Sequence, residues 1–314
     1  MPRTHTPYLI AVHIDILASR PGWHTDELSR AIRARGHAAA VHPYEALVAR
    51  LGTAPGVRTA LEANTHALLA SDAVLARIIP NGSLEQIIYR VDALHWLEDS
   101  GVPVMNGPRA IERTVDKFYT SALLQRAGLA TPETVVCERA DDAMAAFRAM
   151  GDVIVKPLFG SMGLGMVRVS DEEMAWRVFR ALEAIRGVYY LQRAIAHDGR
   201  DVRAFVVGDR VLGAIERHAP GAPGQRGWRT NISRGGAAHA LTLPPAWHAM
   251  ALCAARAVGA EYAGVDLLPA DDGTVYVLEV NGIPGWRGLQ DATSIDVAQA
   301  IVDHLLDVRL ACRR

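Results

Sequence analysis

Three oxygen-bearing side chains at the ends of apolar runs pose the first chemical question. In VLEVNG, Glu279 and Asn281 stand two residues apart, so in a strand both point to one face of the sheet. Asp266 lies in the similar run GVDLL. Two carboxylates and an amide in this setting suit a hard cation such as Mg²⁺ or Mn²⁺, which takes oxygen ligands and keeps water or phosphate oxygens in its other positions. Unpaired charge inside such apolar runs is unfavourable, which argues against a merely solvated strand edge.

A second candidate is the segment Gly160-Ser161-Met162-Gly163-Leu164-Gly165, which follows a run ending in Lys156-Pro157. Glycines let backbone N–H groups close around phosphate oxygens, and a lysine just upstream supplies a point charge. The spacing is G-x-x-G-x-G, so it matches neither the dinucleotide fingerprint nor a Walker loop. A flap over a nucleotide and a plain turn between strands both fit. A third candidate is basic: Arg203, Arg217, Arg226, Arg229 and Arg234 surround the stretch WRTNISRGG, where arginines among Gly, Asn and Thr suit bidentate anion contacts.

The surrounding pattern says what must hold these groups. Tyr8–Ile16 reads as a first strand, followed by a helix near Thr25–Arg35 closed by Gly36. Asp72–Ile79 reads as a strand, and Ser83 with Gln86 forms a capping box that opens a helix with Leu84, Ile87, Ile88, Val91 and Leu94 on one face. A short strand at Val102–Asn106 completes an open α/β domain over 1–106. A central α+β module over 107–187 contains helix Asp116–Ala127, strand Thr134–Cys137, helix Asp141–Met150, strand Val153–Lys156, the glycine loop, strand Met166–Val169 and helix Glu172–Ile185. A strand-rich module over 188–314 follows, with strands at Tyr189–Gln192, Asp201–Val207, Arg210–Arg217, Ala238–Leu243, Gly264–Leu268 and Val275–Val280 and helices at Pro245–Val258 and Ile295–Val308.

Composition excludes several classes. The 314 residues hold 33 basic and 34 acidic side chains, so no global field draws the chain to nucleic acid or to an anionic membrane. No run approaches the ~18 apolar residues of a membrane span. Cys137, Cys253 and Cys312 are odd in number and far apart, which indicates no disulfide framework and a reducing, cytoplasmic setting. The 12 histidines include no H-E-x-x-H and no pair four residues apart, so no zinc motif is legible.

Six blocks in order, VDKFYTSALLQRAGLATP, VIVKPLFGSMGLG, DVRAFVVG, WRTNISRGG, GVDLL and VLEVNGIPGW, resemble the ATP-grasp ligases, specifically the RimK-like α-L-glutamate ligases, across roughly residues 100–305. The resemblance implies an ATP-grasp fold in which two α+β modules grip ATP behind the N-terminal α/β domain. It makes Lys117 and Lys156 phosphate contacts and Gly160, Ser161, Met162 and Gly163 part of the flap. Gln192 and Arg193 become the adenine-reading hinge, although the family usually has Gln-Glu there. Asp201 becomes a nucleotide contact, Arg229 and Asn231 phosphate-side residues, and Asp266, Glu279 and Asn281 the ligands of two Mg²⁺ or Mn²⁺ ions. Lys156, Arg217 and Arg229 would neutralise the transferring phosphoryl group.

The implied reaction is ATP-dependent carboxylate–amine ligation through an acylphosphate, with L-glutamate as the amine and a carboxylate-bearing small molecule as acceptor. The block NGIPGW is more similar to the tetrahydromethanopterin:glutamate ligase branch than to the ribosomal-protein branch, where N-A-S-P-G is common. Trp286 and Arg287 could then stack on a planar ring and hold an acidic tail, or Trp286 could simply be packed. A glutamate ligase acting on a ribosomal protein tail, an ATP-grasp kinase and a catalytically silent binder are the competing readings. Relatives often form homo-oligomers.

Overall fold

The computed structural model describes residues 11–54, 59–160, 163–219 and 237–310. The chain forms two compact units. One comprises residues up to Arg109 together with 285–287 and 296 onward; the other comprises 110–284 with 288–295.

In the first unit, β1 (His13–Ala18), β2 (Ala38–Pro43), β6 (Ala73–Ala76) and β7 (Val104–Met105) form a parallel sheet of order β2-β1-β6-β7, with α1 (Trp23–Ala34) connecting β1 to β2, and β3 (Leu47–Arg50), β4 (Ala60–Ala63) and β5 (His66–Ala67) form a separate antiparallel sheet. Residues 14–18 of β1 are all buried, as a parallel strand covered on both faces requires. Among the described residues the strand runs from His13, paired with Ala38 on β2, while residues 8–10 of the expected strand lie outside the described residues. The Ala-rich β2 and the small sheet carry little intrinsic strand signal and are formed by pairing.

The capping box at the start of α2 (Leu84–Asp99) is present: Gln86 N–H donates to Ser83 Oγ at 3.3 Å and Ser83 N–H to Gln86 Oε1 at 3.0 Å. The buried face differs from the expected stripe. Arg90, Val91, Ala93, Leu94 and Leu97 face inward, while Leu84 and Ile88 are exposed, because only the second half of the helix lies over the sheet's core.

The helix expected over Ile295–Val308 is α9 (Val297–His304), which runs on into a π-helical stretch at Leu305–Leu310; Asp296 caps it by accepting from Gln299 N–H at 2.9 Å, and a short helix not read from the sequence, α8 (Arg287–Thr293), precedes it. α9 packs on α1 within the first unit, where Arg30 pairs with Asp296 and Arg35 with Asp303. Also in this unit, Trp286 is 1% exposed, with the guanidinium of Arg77 4.7 Å from its ring centre and His24 edge-on at 4.6 Å. It is therefore the packed tryptophan of the two alternatives and offers no open face to a ligand ring. Burial and then the charge of Arg77 push His24 down to about 4, so its neutral Nε2 accepts the Trp286 backbone N–H.

The second unit contains two sheets. α3 (Pro108–Val115) and α4 (Lys117–Arg126) precede β8 (Thr134–Cys137), α5 (Ala140–Met150), β9 (Val153–Lys156), β10 (Val167–Val169), α6 (Glu172–Ala184) and β11 (Tyr189–Arg193). These strands form an antiparallel sheet of order β10-β9-β11-β8, cored by Phe147, Val155, Phe179 and Leu191. The other sheet, also antiparallel, has order β14-β13-β12-β15-β16, from β12 (Arg200–Val207), β13 (Arg210–His218), β14 (Ala237–Ala240), β15 (Tyr262–Pro269) and β16 (Val275–Asn281).

Val202, Ala204 and Val206 of β12 share a core with Val265 and Leu267 of β15 and with Ala251, Ala254 and Val258 of α7 (Pro245–Val258). The period of two then sends Asp201, Arg203 and Asp266 to the opposite face. A bulge in the β15–β16 register lets Val277 and Val280 both reach the core while Glu279 stays opposite Asp266. No helix among the described residues is long and apolar enough to cross a membrane.

Candidate active site

The outer face of the five-stranded sheet carries a cross-strand charge ladder. Asp201 faces Arg217 across β12 and β13, Arg203 faces Asp266 across β12 and β15, and Asp266 faces Glu279 across β15 and β16. Arg217 donates to both oxygens of Asp201 at 2.6 Å and lies 3.0 Å from Asp266. Arg203 grips both oxygens of Asp266 at 2.6 Å and comes within 3.8 Å of Glu279. Asp266, Asp201 and Arg217 are each 4% exposed. Burial alone would raise the Asp266 carboxyl, but Arg203 and Arg217 outweigh it and hold it far below the carboxylate range.

Such a network is most sensitive to loss of one member, because the partner left behind is a buried, uncompensated charge. Asp201→Leu is expected to destabilise the chain by about 3–5 kcal/mol, and adding Arg217→Met to recover most of that loss. Urea denaturation of the two single variants and the double variant measures this; equal stability of Asp201→Leu and wild type would contradict it.

Beside the ladder, two lysines converge on a cavity lined by Lys117, Lys156, Gly160, Tyr190, Glu279 and Asn281. Lys156 ends β9 and Lys117 opens α4, where Asp116 caps the helix by accepting from Tyr119 N–H. Lys156, a residue 8% exposed, donates from Nζ to Gln192 Oε1 at 2.6 Å, and that amide donates in turn to Thr134 Oγ1 at 3.1 Å. Burial, aided by the charge of Lys117 and opposed by Glu279 and Asp266, pushes Lys156 down to about 8. Lys117 is lowered as well, chiefly by burial, and its Nζ donates to the Gly160 carbonyl at 2.9 Å. Gly163 and Gly165 hold φ of +66° and +76°, a conformation that favours glycine and keeps this stretch free of side-chain strain. Asn281 Nδ2 donates to Glu279 Oε1 at 3.1 Å.

The structure thus brings Lys117, Lys156, Gly160, Glu279 and Asn281 to one cavity, with Asp266, Asp201 and Arg217 in the adjoining ladder. Ser161, Met162, Arg229 and Asn231, with Arg226 and Arg234, lie outside the described residues. At the expected hinge, Gln192 holds Lys156, while the Arg193 guanidinium is engaged by Glu133 and the Met150 carbonyl. The backbone N–H groups of Arg193 and Ala194 donate to the carbonyls of Glu133 and Asp152. Arg203, read from sequence only as one of a basic set, is the residue that clamps Asp266. Its position two residues after Asp201 in the same strand was the available signal.

Residues 114–305 match the family model described as the RimK-like ATP-grasp domain. The chain belongs to the RimK-like ATP-grasp family. Among relatives, it is 37% identical to the tetrahydromethanopterin:alpha-L-glutamate ligase of Methanosarcina acetivorans over 76% of this chain and 80% of that one. It is 33% identical to the probable alpha-L-glutamate ligase of Trichodesmium erythraeum over 93% and 95% of the two chains. In fold it is similar to the ATP-grasp ligase PsnB complexed with precursor peptide PsnA2 and AMPPNP, at TM-score 0.70 and 21% identity, covering 96% of this chain and 99% of that one.

This RimK-like protein is accordingly an ATP-dependent, amide-forming ligase, and ATP with divalent metal ions is the equipment of its family. Its residues fit such an ion: Asp266, Glu279 and Asn281 offer only hard oxygens, share one sheet face by register, and include a Glu279 side chain that is 38% exposed.

Proposed function

We propose that this ligase joins L-glutamate to the carboxylate of a small coenzyme-like acceptor of the tetrahydromethanopterin kind. The observation that carries the reading is the identity of 37% over three quarters of the chain to a ligase of that name. The cavity supports the chemistry, because two ammonium groups and a set of hard oxygen donors meet there.

Lys117 and Lys156 bind the ATP phosphates, and Lys156 opposes the charge that accumulates on the γ-phosphoryl as the acceptor carboxylate attacks it. Asp266, Glu279 and Asn281 would hold two Mg²⁺ or Mn²⁺ ions, which when bound would supply positive charge to offset that of the phosphates. Arg203 and Arg217 fix the Asp266 carboxylate, so in this reading Arg217 acts as a positioning residue. The glycine segment from Gly160 to Gly165, with Ser161 and Met162, covers the phosphates and keeps water from the acylphosphate until the glutamate amine displaces phosphate. Gln192 orients Lys156, with Arg193 holding the end of β11; Arg229 and Asn231, outside the described residues, keep the phosphate-side role that the resemblance implies. The three-part division at 106 and 187, with both later modules closing on ATP, belongs to the same proposal.

A peptide acceptor is the second reading, favoured by a structural neighbour whose complex contains a precursor peptide. ADP release is measured with ATP, Mg²⁺ and L-glutamate, with and without tetrahydromethanopterin or a tetrahydrofolate surrogate, alongside mass spectrometry of products. The expected result is one added glutamyl unit that requires both pteridine and glutamate. ADP formation only with a peptide acceptor overturns the coenzyme assignment and installs the second reading.

A further inference from the structure

The first unit gathers three histidines around one buried carboxylate. Asp15, fully buried in the middle of β1, meets His13 Nε2 at 3.1 Å and His42 Nε2 at 2.8 Å on one oxygen. On its other oxygen it meets His66 Nε2 at 3.1 Å and the hydroxyl of Ser71. The four groups come from β1, β2, β5 and the turn before β6, and the contact of Ser71 with Asp15 joins residues 56 apart in the chain. His13 and Asp15 share a face of β1 by the period of two.

We propose that His13, His66 and Asp15 form a site for a divalent transition-metal ion, with Zn²⁺ the chemistry it fits best. Their ligand atoms all lie within 4.8 Å of one another. The two nitrogen-to-oxygen separations of 3.1 Å are close to the roughly 3.3 Å between neighbouring ligands around a tetrahedral ion with bonds of about 2.0–2.1 Å. A hydrogen-bonded cluster and a shared ion thus have nearly the same frame, and small side-chain rotations interconvert them.

Three features favour the ion over a purely packed cluster. The rings of His13 and His66 have centroids 4.8 Å apart, and those of His42 and His66 stack at 5.3 Å, so three imidazoles are gathered side by side around one carboxylate. His42 and Ser71 also hold Asp15 from behind, the arrangement in which outer partners orient a ligating carboxylate. The His13 and His66 side chains are 34% and 38% exposed, leaving a path for the ion and room for water as a further ligand. A mixed nitrogen–oxygen set selects against Mg²⁺, so this site would not be filled by the ion that serves ATP.

The test uses the full chain, stripped with a chelator and titrated without nucleotide, first with Zn²⁺ by calorimetry and then with Co²⁺ by visible absorption. One equivalent should bind, unaffected by excess Mg²⁺, with cobalt bands of low coordination number and a higher melting temperature. His66→Ala and His13→Ala should abolish binding, and His42→Gln should weaken it about 10–100-fold. Glu279→Ala should retain it, separating this site from the one proposed for ATP. His66→Asn serves if the alanine variant does not fold by circular dichroism. No binding by wild type, equal binding by the His66 and His13 variants, or loss confined to Glu279→Ala would overturn the proposal.

Discussion

Lys156→Met is expected to lower ligase turnover at least about hundredfold while making the chain harder to unfold. Both effects follow from one buried ammonium. Catalysis needs its positive charge opposite the transferring phosphoryl group, yet burial pushes Lys156 down from 10.5 to about 8. The folded pKa is depressed, so the unfolded chain binds more protons between pH 8 and 10.5, and stability rises with pH through that window. At pH 7 the whole penalty stands, at about 3 kcal/mol, of which loss of the Gln192 hydrogen bond would return about 1 kcal/mol.

The methionine variant should therefore be more stable by about 2 kcal/mol at pH 7, and the advantage should shrink as pH approaches 10.5. Urea titrations at pH 7 and pH 10 read this directly. In the wild type, kcat/KM for ATP should fall as pH rises through about 8 and the ammonium is lost. Lys156→Arg, which keeps its charge, should move that fall to higher pH. A methionine variant that turns over normally would remove Lys156 from the chemistry.

Glu279→Ala should be as damaging to turnover, again by at least about hundredfold, with a raised Mg²⁺ requirement and almost no change in stability. Its side chain is 38% exposed and its contacts are an Asn281 amide at 3.1 Å and a long 3.8 Å approach to Arg203, so little packing is lost. Glu279 also raises Lys156 toward its ordinary value, opposing burial. Its removal should therefore shift the alkaline fall in residual activity to lower pH. Unchanged Mg²⁺ dependence in this variant would take Glu279 out of the proposed metal site, whatever happened to its rate.

Much of this architecture was legible because it is written in local physics. The strands Thr134–Cys137 and Val153–Lys156 and the helix Pro245–Val258 run as the periodicity predicts, and the Ser83–Gln86 box forms as spelled. Apolar alternation around Glu279 and Asn281 also foretold a shared face, since a period of two needs no tertiary information. The family could be read because six short blocks keep their order, each shaped by a local demand for glycine, charge or an apolar strand.

What the sequence could not state was pairing between distant segments. Whether Trp286 is a platform or a core residue depended on Arg77 and His24 reaching it from far up the chain. The clamp of Arg203 on Asp266 required a strand register, which places residues 63 apart side by side. The histidines at 13, 42 and 66 carry no local metal motif, and only the sheets of the first unit carry them to Asp15. Spacing along a chain determines which side chains share a face, whereas long-range strand pairing decides which faces meet.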